Sequence, residues 1–162
     1  MSYRFRYVIC CSPPELEQER TAFHAAIGKF NEEVAMKAGE LLAAASLRPG
    51  IIAERQQAAI ESNIRMCEML VQIFGEQPPP AVFQGFVEYA LRQAQDPAAT
   101  MKRVAVLFRR AEAAGAESRD YQAAVAGRAS CEVREFMDEL ELVRALREVL
   151  EGWYTPVRMA GS

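Results

Sequence analysis

Histidine is almost missing from this chain: His24 is the single one in 162 residues. No Ser-His-Asp order assembles convincingly around it. The four cysteines give it no zinc partners either, because none of Cys10, Cys11, Cys67 and Cys131 forms a C-x-x-C pair. His24 falls inside a helical pattern beside an apolar stripe, so a structural or surface role is expected. The Walker A and G-x-G-x-x-G patterns are absent, which argues against a P-loop ATPase and a dinucleotide oxidoreductase. No apolar run approaches the roughly 18 residues that a membrane span needs. The opening MSYRFRYV lacks the apolar core of a signal peptide, so a cytoplasmic location without membrane contact is expected. Lys and Arg are spread along a chain of net charge −3, which offers nucleic acid no basic face.

What the chain does have is apolar sequence in short, regular blocks. Hydrophobic residues reach 51%, enough to bury a core in one domain, expected over residues 1–154 with a loose tail over 155–162. The organising stretch is RYVICCSPPELEQER. Tyr7, Val8, Ile9, Cys10 and Cys11 read as a buried strand. Ser12 then offers a helix cap, Pro13 takes the first helical position and Glu15 completes the capping spacing. Arg4 and Arg6 alternate with Phe5 and Tyr7 at the entry of that strand. Cys10 and Cys11 are expected to pack as small hydrophobes, the alternative being a reactive Cys11 near the helix N-terminus.

Downstream, helix 1 carries the stripe Leu16, Phe23, Ile27, Phe30 and Val34 and stops at Gly39, with Gly28 costing it about 1 kcal/mol relative to Ala. Residues 40–47 are placed as strand 2 by their position, although their alanines favour helix, and Arg48-Pro49-Gly50 ends it. Helix 2 is expected over 52–66, strand 3 over 67–74, and a stiff loop over Pro78, Pro79 and Pro80. Helix 3 spans 81–95 and buries Phe83, Phe86, Val87, Ala90, Leu91 and Ala94. Strand 4 covers 102–108, helix 4 118–129, and the charged strand 5 131–136 suits a sheet edge. Asp138 with Glu141 caps helix 5, whose stripe is Leu142, Leu146, Val149, Leu150 and Trp153. Five strand–helix units predict an α/β fold of three layers, with a five-stranded parallel sheet in the order 2-1-3-4-5. Leu16→Ala or Ile73→Ala is then expected to cost about 2–5 kcal/mol.

A site in such a sheet lies beyond the carboxyl ends of the strands, where residues 11–14, 47–51, 75–80 and 109–117 converge. Ser12, Pro13 and Gly75 are the ligand-binding candidates there. With no metal set in view, carboxylates and arginines carry any chemistry: Glu19 and Arg20 on helix 1, and Glu88 on helix 3. Glu88 beside apolar neighbours is the catalytic candidate, its pKa expected to be raised so that it works on a sugar–base bond. The other reading leaves it solvated on the helix flank.

The segment CCSPPELEQER resembles the opening of the TIR-like domain that heads many bacterial STAND-type ATPases and tetratricopeptide proteins. RPGIIAERQQAAIESNIRMCEMLVQIFGE, FVEYALRQA, KRVAVLF and EVREFMDELELVRALREVLEGW continue the likeness in order, from Tyr7 to Trp153. The resemblance implies the flavodoxin/TIR-like fold shared with nucleoside deoxyribosyltransferases. It also implies a glutamate on helix 3 in relatives that cleave NAD+ or nucleosides. Aligning Ala90 puts Phe86 at that position, and prolines replace the family's Gly-Thr pair. Glu88 lies about 200° further around the helix. The expectation is therefore a signalling or assembly module acting through self-association or a protein partner. The alternative is an N-glycosidase with NAD+ or a nucleoside as ligand and substrate. Phe86 joins Ser12, Pro13 and Gly75 as a candidate for the pocket, and no cofactor or metal is required.

Overall fold

A computed structural model describes residues 2–47, 52–110 and 115–157. The chain alternates β1 (Arg4–Cys10), α1 (Glu17–Phe30), β2 (Glu40–Ser46), α2 (Gln57–Met66), β3 (Met69–Phe74) and α3 (Ala81–Ala94). It continues through β4 (Arg103–Arg109), α4 (Ala116–Ala126), β5 (Cys131–Phe136) and α5 (Glu139–Trp153). All strand pairs are parallel and their order is β2-β1-β3-β4-β5, as the sequence predicts. Between β1 and β3 the chain reverses its direction of travel across the sheet, and the crevice of such a fold opens there.

Two apolar layers sandwich the sheet. Phe23, Ile27 and Phe30 of α1 join Leu142, Leu146 and Val149 of α5 over one face. Ile60 and Ile64 of α2 join Phe83, Phe86 and Leu91 of α3 over the other. β3 is buried along its whole length, so Ile73→Ala falls in the core as expected. Leu16 is only partly buried and precedes α1, so its truncation costs less than the 2–5 kcal/mol expected for a core leucine.

Local signals explain most boundaries. Gly39 adopts φ +77° and ends the α1 region in the left-handed conformation that glycine tolerates. Asp138 caps α5 by accepting the Glu141 N–H at 2.8 Å, and the Glu141 carboxylate accepts the Met137 N–H at 2.8 Å. α2 begins five residues later than expected because Ala53, Glu54 and Arg55 form turns before it. The breaker Arg48-Pro49-Gly50 lies outside the described residues.

The cap expected at Ser12 is not made. α1 starts at Glu17 behind Leu16, and no side chain caps it. Ser12 is fully buried and its hydroxyl accepts the Ile73 N–H at 2.8 Å. The reason is that β1 runs out of backbone: Cys11 N–H still reaches the Val71 carbonyl at 3.0 Å, after which prolines follow. A side-chain oxygen then satisfies a β3 donor that would otherwise be orphaned. Arg20 donates to the Pro13 and Pro14 carbonyls, both at 2.7 Å, and clamps the turn that displaces the helix start.

The tail is not loose where it is described. Arg6 is buried and donates to Glu68 (2.9 and 2.7 Å), Glu40 (3.1 Å) and the Thr155 carbonyl (2.7 Å). Its guanidinium lies 5.0 and 5.1 Å from the Trp153 and Tyr154 ring centres. Glu40 also accepts the Tyr154 hydroxyl and, at 3.1 Å, the Val157 N–H. Thus Arg6 points inward, while Phe5 and Tyr7 are 58% and 45% exposed. Residues 158–162 fall outside the described residues.

Candidate functional site

A crevice of about 460 Å³ lies at the carboxyl ends of β1, β3 and β4. Its wall is Pro13, Leu16, Phe74, Gly75 and the three prolines Pro78–Pro80, which hold the β3–α3 loop extended. Its polar groups are Glu15, Glu19, Glu76, Gln77 and Arg109. Glu19 is largely buried, at 13% side-chain exposure, and faces Arg109 at 3.5 Å, a loose pair. Arg109 also lies 5.5 Å from the Phe136 ring. Both helices that open onto the crevice, α1 behind Leu16 and α3 behind Pro80, lack a side-chain cap. The crevice can therefore grip a ligand through apolar walls and opposed charges, and among the described residues its reactive groups are carboxylates.

Pro13 and Gly75 are brought together in that crevice. Ser12 lies beneath it, its hydroxyl spent on Ile73. Phe86 is fully buried in the core, edge-on to Phe83 at 5.8 Å, and does not line the crevice. Glu88 belongs to a different cleft, between α3 and α4, with Gln84, Gly85, Tyr121 and Arg128. Arg128 grips its carboxylate with both guanidinium nitrogens, at 2.5 and 3.1 Å. Those bonds and the charge of Arg128 hold Glu88 below its ordinary value, the reverse of the raised pKa expected for a general acid. The Glu88 side chain is 45% exposed on the flank of α3. Sequence reasoning had no way to place Arg128, 40 residues away, opposite it.

Cys10 and Cys11 are both fully buried where β1 ends. Burial pushes Cys10 up to about 11 and Cys11 well above its ordinary value, so packing is their role. His24 is exposed and its Nε2 lies 2.9 Å from the Ser46 hydroxyl. A polar pair that the sequence hid sits in the middle of β3: fully buried Gln72 donates to the Phe83 carbonyl at 3.0 Å and accepts the Tyr121 hydroxyl at 2.7 Å. It fastens α3 and α4 to the sheet. Glu15 lies in the turn before α1 and Glu19 in its first turn, so no single helical spacing joins the acidic wall in the sequence.

Among the described residues no helix is long and apolar enough to cross a membrane. No protein-family model matches the chain, and no curated protein aligns with it significantly. Among solved structures it is similar to the solution NMR structure of a de novo designed Rossmann 2x3 fold protein. The two are 12% identical over 97% of this chain and 98% of that one, with a TM-score of 0.50. That likeness concerns the arrangement of strands and helices, which is α/β and Rossmann-like.

Proposed function

We propose that this chain is a TIR-like association module, working through itself or a protein partner, whose crevice does not hydrolyse nucleotides. One observation carries the reading: α3 contributes no acid to the crevice. Phe86 is sealed in the core, and Glu88 faces another cleft with its carboxylate neutralised by Arg128. An oxocarbenium-like transition state needs a carboxylate beside the reacting carbon, and a negative charge spent on a fixed guanidinium cannot supply it. The test is nicotinamide release from NAD+ by the full chain, at dilute and high protein concentration. No release at either concentration is expected. Turnover that disappears in Glu88→Gln overturns the proposal.

The N-glycosidase reading keeps one observation in its favour, the largely buried Glu19 carboxylate on the wall of a crevice large enough for a nucleoside. On that reading Glu19, not Glu88, is the acid. Turnover of NAD+ or a nucleoside that is lost in Glu19→Gln and kept in Glu88→Gln would establish it in place of the first.

A further inference from the structure

The two edges of the sheet are β5 and β2. β5 carries Glu132, Arg134 and Glu135 and is wrapped in ion pairs to Arg103, Arg110 and Glu148, the charge that ordinarily deters strand addition. β2 reads ELLAAAS, and its one charged residue, Glu40, is turned inward to Arg6. An apolar, alanine-rich edge strand without outward charge is a template for another chain.

One side chain stands at that edge. The Asn31 carboxamide donates to the Leu42 carbonyl at 3.0 Å, and its oxygen accepts the Leu42 N–H at 2.7 Å. A residue's N–H and C=O point to the same side of a strand, so both outward groups of Leu42 are taken by one amide. The carboxamide reproduces the donor and acceptor that a neighbouring strand would offer. The helical path changes at this same residue: α1 gives way to a π turn, Asn31–Ala35, a rare geometry often found at functional sites. We infer that Asn31 is a plug that closes the free edge of β2 to a second copy of this chain. The inference is independent of the function proposed above. If the chain does associate, the plug directs association away from the sheet edge.

The test compares wild type, Asn31→Ala, Asn31→Asp and Asn31→Ala combined with Ala45→Lys. Amide hydrogen exchange at Leu42 and mass by light scattering are followed over a range of concentrations. Asn31→Ala is expected to lower Leu42 protection about tenfold, the worth of roughly one to two hydrogen bonds. Its mass is expected to rise with concentration beyond that of wild type. Ala45→Lys, which puts a charge on the exposed side of β2, is expected to reverse that rise. Asn31→Asp keeps the acceptor and is expected to keep Leu42 N–H protection. Unchanged Leu42 exchange in Asn31→Ala, a mass no higher than wild type at any concentration, or association that survives Ala45→Lys each overturns the inference. If Asn31→Ala does not fold, Asn31→Asp decides: retained Leu42 protection supports the plug, and its loss overturns it.

Discussion

At the amino ends of the strands, Arg6 is buried at 6% exposure and holds two carboxylates, one carbonyl and two aromatic rings. At the carboxyl ends, Arg109 is 39% exposed and meets a single carboxylate at 3.5 Å. The two arginines belong to β1 and β4, the strands that flank the central β3, yet one is locked and the other is barely tethered. The locked pole turns the Arg6 guanidinium and the Glu40 and Glu68 carboxylates onto the protein itself. The slack pole leaves two helix N-termini without a side-chain cap, and Glu15 and Glu76 beside the loosely paired Glu19 around an open crevice. In a molecule without a recognisable motif, that slackness marks the candidate site better than any residue type does.

The comparison breaks most visibly at Arg6. Arg6→Met is expected to cost about 3–5 kcal/mol in urea unfolding, since it strands Glu40 and Glu68 beside the core. A loss below 1 kcal/mol would mean that the pole is not locked. Next in size, Ser12→Ala should cost about 1–3 kcal/mol by leaving the buried Ile73 N–H unpaired, and Ile73 should become the amide whose exchange rises most.

A smaller effect follows from pH. Burial alone raises the Glu40 carboxyl, but hydrogen bonds from the Tyr154 hydroxyl, the Val157 N–H and Arg6 more than offset this and leave it below its ordinary value. A lowered folded-state pKa gives stability that is fully present above the unfolded value, about 4.3, and lost as pH falls through the folded one. Urea midpoints should therefore hold steady from neutral pH down to about 5 as far as Glu40 is concerned, then fall. In Glu40→Gln that acid limb should be shallower than in wild type. The smallest change belongs to the slack pole: Arg109→Met should alter stability by at most about 1 kcal/mol.

How much of this the sequence disclosed depends on how far apart the partners lie. β3 was visible because a strand covered on both faces must be apolar throughout, and the α5 cap because Asp138 and Glu141 are three residues apart. The strand order followed from five alternating units and the handedness of their connections. Ser12 was misread because its spacing to Glu15 mimics a cap, while its true partner is 61 residues away. Arg6 looked like a charge at a strand entrance, yet its partners lie 34, 62 and 149 residues off. The crevice could be located from the fold, but its lining could not: Phe86 was assigned to it and is sealed in the core, while Arg109 became a partner for Glu19 only through a contact across 90 residues.

The Arg6 junction also bears on synthesis. Its cation rests against Trp153 and Tyr154 and donates to the Thr155 carbonyl, 149 residues further along the chain. Until they emerge, the first strand carries a guanidinium with no aromatic walls around it and only part of its hydrogen bonds. The junction thus stays incomplete until the residues after α5 have emerged, the opening strand waiting on that turn.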